Sequence, residues 1–307
     1  MTLSLPPRPP AVASGRLRRF AQSHSLKCYF LLAYSLTWLV LSPYVLSQMG
    51  LFSFHLPISA LVSVILAAYS GPFLAGFLMT ALLEGKSGLR RLLRRFILWR
   101  VGWPWYLFVL LGYPLIRALG ATVLPGVLGT YRPGSLQAEP GHFLALFPLT
   151  FLVSALAEEP GWRGFALPRL QKRYGPLPGS LVLGLLWACW HLPLFLTSFE
   201  GHAGSGLLTV LGFITGTIGI TIVITWVFNH TKESLLPALL GHAALDAFTA
   251  SNLFFSPLAL DQSAFLSVIV GFGGVALLLL GVTRGRLGYQ QTHSTSIPLS
   301  PPDRNRP

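Results

Sequence analysis

Ala157-Glu158-Glu159-Pro160-Gly161-Trp162-Arg163-Gly164-Phe165 ends an apolar run that begins near Phe143. The chain uses acids sparingly, with nine Asp and Glu among 307 residues, and two of the nine stand side by side here. An ionisable side chain at membrane depth is expensive and is by default a functional hypothesis. A pair of acids followed at once by Arg163 therefore sets two questions: what buries these charges, and what they do.

The composition answers part of the first. Hydrophobic residues make up 52% of the chain and charged ones 10%, with a mean hydropathy of +0.62. A soluble domain carries about 25% charged residues, so the predicted fold class is all-α, a polytopic membrane helix bundle. Apolar runs of spanning length fall at about 28–47, 57–83, 103–124, 142–159, 179–198, 207–228, 234–255 and 264–282, which predicts about eight transmembrane helices. Gly71-Pro72 and Pro114 are expected kinks.

The net charge of +13 would suggest nucleic acid in a soluble chain. Here the positive-inside rule accounts for it. With eight spans, twenty of the 22 Lys and Arg fall on one side, leaving Arg132 in an outer loop and Arg117 within a span. Glu139, Glu200 and Asp261 all fall outside. Both termini are accordingly expected in the cytoplasm, with the chain in the cell membrane. The short loops point to a prokaryotic chain and thus to a bacterial inner membrane.

Three regions are expected: a disordered basic segment at 1–27, a transmembrane domain at 28–283 whose motif core is 143–250, and a disordered tail at 284–307. Residues 84–100 repeat Arg90, Arg91, Arg94 and Arg95 at helical spacing, interleaved with Leu89, Leu92, Leu93 and Phe96. That pattern reads either as an amphipathic helix on anionic headgroups or as a solvated loop. Cys28 and Cys189 lie in apolar runs and suggest neither a disulfide framework nor a cysteine metal site. The chain has no internal repeat, no glycine-rich phosphate loop and no basic-aromatic pattern for nucleic acid.

The polar residues within the spans carry the chemistry. The fifth run reads Trp187-Ala188-Cys189-Trp190-His191-Leu192-Pro193, and the seventh Gly241-His242-Ala243-Ala244-Leu245-Asp246. At about 1.5 Å per residue, His242 lies roughly 12 Å into its span from the cytoplasmic end and His191 about 18 Å into its own. Glu158 falls in the same half, so three helices place polar groups at similar depth. Glu159 and Arg163 are four apart, the spacing of an ion pair, whereas Glu158 is turned about 100° away. This assigns Glu159–Arg163 a structural role and leaves Glu158 as the reactive carboxylate. His242 and Asp246 share a face, where Asp246 could orient the imidazole, complete an oxyanion site in its protonated form, or ligate a metal. Arg117 reads as a snorkelling residue or as a partner of an acid such as Asp246. Trp187 and Trp190 read as packing or interface residues.

A carboxylate beside an imidazole can deprotonate a water, and a second imidazole can stabilise an oxyanion, which together make amide hydrolysis. The same set, Glu158, His191, His242 and Asp246, also has the ligand types of a Zn²⁺ site with an open position.

These residues resemble the intramembrane CPBP family, which includes the type II CAAX prenyl endopeptidases and bacteriocin-processing or self-immunity proteins. The resemblance rests on Glu-Glu-x-x-x-Arg at 158–163, aromatic-x-x-x-His from Trp187 to His191, and His-x-x-x-Asn/Asp from His242 to Asp246. It covers roughly residues 143–250. It implies an all-helical fold in which Glu158, helped by His191, activates water, while His242 and residue 246 stabilise the oxyanion. Asp246 stands where the prenyl enzymes have Asn. The expected function is an intramembrane endopeptidase acting on a membrane-associated peptide or protein near anionic headgroups, with Glu158, Glu159, Arg163, His191, His242 and Asp246 as its site. The rival expectations are a transporter or channel, and a catalytically silent immunity or scaffold protein of the same fold.

Overall fold

The computed structural model describes residues 15–51, 59–124, 140–199, 206–251 and 264–290. Regular structure among these residues is entirely helical, as the apolar periodicity predicts. The helices are α1 (Arg16–Ser23), α2 (Ser25–Gln48), α3 (Ala60–Phe96), α4 (Trp103–Thr122), α5 (Gly141–Tyr174), α6 (Pro176–Leu196), α7 (Leu207–His230), α8 (Leu235–Ser251) and α9 (Phe265–Thr283). Seven of these, α2 to α7 and α9, are long and apolar enough to cross a membrane. Arg132, Glu139, Glu200 and Asp261, assigned above to outer loops, lie outside the described residues.

The seventh expected span is present as α8, but with 17 residues it reaches only about 25 Å at 1.5 Å per residue, short of the ~30 Å hydrocarbon layer. Twelve of its residues are buried. It is an inner helix, walled by α4, α5 and α7, so protein rather than lipid solvates its polar face. The outer helices show the opposite pattern: Leu31, Leu39, Leu208, Leu277 and Val282 are exposed, while Thr37, Arg117, Glu159, Arg163 and Thr221 are buried. Apolar outside and polar inside is the arrangement that lipid demands.

Several local features follow from the sequence. Gly85, at φ 64°, breaks α3, a conformation that a residue without Cβ adopts without penalty. The apolar span thereby ends at the predicted boundary and the arginine-rich amphipathic segment begins. That segment is helical: Leu92 packs inward, while Leu93 remains exposed. Arg95 Nη1 donates to the carbonyl of Gly164 at 3.0 Å, and Arg95 and Arg169 pair with Glu233 and Glu84.

Parts of the two terminal segments have structure among the described residues. α1 lies within residues 1–27, held by the buried Ala21 and by Arg18 Nη2, 3.5 Å from the carbonyl oxygen of Leu83. Residues 1–14 lie outside the described residues. The start of the 284–307 segment is likewise anchored, because Leu287 is fully buried and Asn229 Nδ2 donates to its carbonyl at 2.9 Å. Residues 291–307 also lie outside the described residues.

Candidate functional site

α5 carries the acid pair through the centre of the bundle, and its irregularities decide where the side chains point. π-helical turns at Phe151–Ala155 and Trp162–Ala166 flank the short α-helical stretch Leu156–Gly161. Such turns, each with an extra residue, recur at functional sites. Pro160 lies between them and cannot donate to Leu156. Glu158 to Ala166 are all buried. This depth requires close approach: a Cβ on Gly161 would stand 2.2 Å from the carbonyl oxygen of Pro72 in α3 and 2.5 Å from the hydroxyl of Tyr29 in α2.

The two adjacent glutamates face different partners, as their 100° offset predicts. Glu159 Oε1 accepts from Arg163 Nη1 at 2.9 Å, a pair with both side chains wholly buried. The same oxygen lies 2.8 Å from Nδ1 of His242, so the acid that pairs with Arg163 also fixes the imidazole across the helix interface. Glu158 Oε2 accepts from the indole nitrogens of Trp187 at 2.6 Å and Trp162 at 3.3 Å. Its Oε1 is left for whatever occupies the cavity.

Trp187 is therefore more than packing, which corrects its reading as a packing or interface residue. Its indole donates to Glu158, the Arg163 guanidinium carbon lies 4.3 Å from its ring centroid, and the His242 ring stands edge-on at 5.4 Å. One turn on, His191 Nδ1 lies 3.0 Å from the carbonyl oxygen of Trp187. That bond requires Nδ1–H and leaves Nε2 as the free nitrogen.

On α8, His242 Nε2 is 3.4 Å from Asp246 Oδ2, the contact expected from their four-residue spacing. Ser154 of α5 joins them: its hydroxyl donates to Asp246 Oδ2 at 2.6 Å and lies 3.2 Å from His242 Nε2. Ser154 was not singled out from the sequence. The available signal was its place one turn before Glu158 in an otherwise apolar run.

Glu158, His191, His242 and Asp246 all line one cavity of about 550 Å³, together with Ser154 and Arg117. This size matches small-ligand sites, and most of the remaining lining is apolar. Glu159 and Arg163 stand behind this wall, supporting it. Arg117 neither snorkels nor pairs. It is buried, its Nε and Nη1 have no hydrogen-bond partner, and no acid pairs with it among the described residues.

The zinc expectation does not fit these donors. Among the described residues, no three His, Cys, Asp or Glu side chains are gathered as a metal site requires. Glu158 Oε2 is held by two indoles, His242 Nδ1 by Glu159, and Asp246 Oδ2 by Ser154.

The resemblance read from the motifs is borne out by comparison with known proteins. Residues 140–248 match the family described as type II CAAX prenyl endopeptidase Rce1-like. That stretch holds α5, α6, α7 and most of α8, with all six candidate residues. A curated relative, CAAX prenyl protease 2 of Methanococcus maripaludis, is 32% identical over 111 residues. The match covers 35% of this chain and 39% of the relative, so it concerns a part of each protein rather than the whole of either.

Proposed function

We propose that this chain, which carries the Rce1-like segment in its α5–α8 core, is an intramembrane endopeptidase. It hydrolyses a peptide bond of a membrane-associated peptide or protein at the cavity between α5, α6 and α8. The observation that carries this reading is the shared cavity of Glu158, His191, His242 and Asp246.

In the proposed reaction, Glu158 Oε1 and His191 Nε2 hold a water between them, and the carboxylate takes its proton. The water oxygen bonds to the substrate carbonyl carbon while the carbonyl π electrons move to oxygen. His242 Nε2, steadied by Glu159 from behind, donates to that oxyanion. The carbon–nitrogen bond then breaks, and the proton held by Glu158 passes to the leaving amine. Asp246 and Ser154 keep the His242 ring in place. No step runs through a metal.

The basic amphipathic segment of α3 supports a location beside anionic headgroups. Together with the charge asymmetry of the sequence, it supports a cell-membrane chain with both termini in the cytoplasm.

The test is hydrolysis of membrane peptides by reconstituted protein. Glu158→Gln and His191→Ala should each abolish cleavage while leaving helical content unchanged. Retained cleavage in either variant would sink the assignment. Solute flux that requires these groups, without any cut peptide, would favour the transporter.

A further inference from the structure

The proposed chemistry uses every charged group lining the cavity except Arg117. This residue sits on α4 against α8 and α9, with only 3% of its surface accessible. Two of its guanidinium nitrogens are sealed without an acceptor. Yet it lines the same cavity as Glu158 and Asp246, and it is the one Arg or Lys among the described lining residues.

A buried, unpaired guanidinium is costly, and desolvated cations are normally met by an acid. Both acids in the wall are committed elsewhere, Glu158 to the indoles and Asp246 to Ser154 and His242. Among the described residues no acid is left for Arg117, and a ligand in the cavity can supply one. A planar guanidinium suits a carboxylate, which it can grip through two parallel hydrogen bonds. The remaining wall is mostly apolar, so the fitting occupant has apolar side chains and one negative end.

We infer that Arg117 binds a carboxylate of the substrate peptide and so selects what enters the cavity. The inference rests on the peptidase reading of the site. The carboxylate has two sources, a free C-terminus or an acidic side chain near the cut. The cavity, at about 550 Å³, has room for a few residues rather than a folded segment, and any short peptide that ends inside it brings a terminal carboxylate.

Binding can be measured apart from cleavage with the full chain in detergent, carrying Glu158→Gln so that nothing is cut. The probe is a fluorophore-labelled peptide of leucine and alanine, prepared with a free C-terminal carboxylate, with a C-terminal amide, and as an amide with one internal glutamate. The free acid or the glutamate form should bind at least about tenfold tighter than the plain amide, and whichever does names the source. Adding Arg117→Gln should erase that preference, while Arg117→Lys should keep part of it as a point charge. If Arg117→Gln does not fold, the three peptides on the unaltered Arg117 background still decide the question, with Arg117→Lys as the variant. Equal binding of all three peptides, binding of none, or a preference that survives Arg117→Gln would overturn the inference. So would competition by phosphatidic acid with no sensitivity to the peptide terminus, which would give Arg117 to a lipid phosphate. A clear preference for the acid in a protein whose wild type cuts nothing would keep the carboxylate site and remove the peptidase reading.

Discussion

Glu159 Oε1 lies 2.8 Å from Nδ1 of His242, although 83 residues separate them in the chain. The same oxygen takes a hydrogen bond from Arg163. The acid read from the sequence as structural is thus the link between the Arg163 ion pair and the imidazole proposed to stabilise the oxyanion. The geometry supports a positioning role, and it separates two effects of substitution.

Removing Glu159 alone strands Arg163 in the bundle, and breaking a buried pair this way costs about 3–5 kcal/mol. Glu159→Leu should therefore lower thermal stability sharply. The double variant Glu159→Leu/Arg163→Met should recover a large part of that loss, because no uncompensated charge remains. Hydrolysis should stay lost in both, since His242 has no Nδ1 acceptor in either. Thermal unfolding in detergent and peptide cleavage, measured on the single and double variants, check the two halves. A double variant as unstable as the worse single one would contradict the account.

Trp187 offers a finer change. Trp187→Phe keeps a ring beneath Arg163 and beside His242 but deletes the 2.6 Å bond to Glu158. A hydrogen bond to a charged group is worth about 1.5–3 kcal/mol. We expect kcat to fall by roughly ten- to a hundredfold, with KM little changed. A large rise in KM with unchanged kcat would show that the indole binds substrate instead of positioning Glu158.

The contrast between these cases explains what was legible in the sequence. Glu159–Arg163 and His242–Asp246 could be read because four-residue spacing on a helix fixes a shared face. The helix count could be read because hydropathy sees length. The contact from Glu159 to His242, the indole of Trp187 on Glu158, and Ser154 on Asp246 are tertiary, and no local periodicity reports them. Arg117 was given the two usual fates of a membrane arginine, and the structure shows neither. α8 was expected as an ordinary span, but its central position frees it from having to match the bilayer thickness.

Asp246 separates two roles through one atom. Asn at this position can still accept from Ser154, and its amide can donate toward the cavity. Asp246→Asn should preserve cleavage within about tenfold, whereas Asp246→Ala should lose it, because the His242 ring then lacks the group that holds it and a misplaced oxyanion donor costs up to about 2.7–4 kcal/mol. Cleavage should also survive exhaustive chelation. Were Asp246 a metal ligand, the Asn variant and the chelated protein would both fail, and metal analysis of the purified protein would show a stoichiometric ion.

The final prediction concerns the packing that brings the acid pair to the cavity. A methyl group at Gly161 would strike the backbone carbonyl of Pro72 at 2.2 Å, and neither helix can yield by rotating a side chain. Overpacking of this kind costs about 1–3 kcal/mol or more. Gly161→Ala should destabilise the protein by at least that much and push α5 away from α3, lowering cleavage through Glu158 and Glu159, three and two residues upstream. Gly141 lies in the same helix with nothing within 4 Å of a built Cβ, so Gly141→Ala should be neutral or slightly stabilising through helix propensity. Unfolding midpoints and cleavage rates of the two variants settle the point: equal behaviour would mean that α5 is not seated on α3 as described.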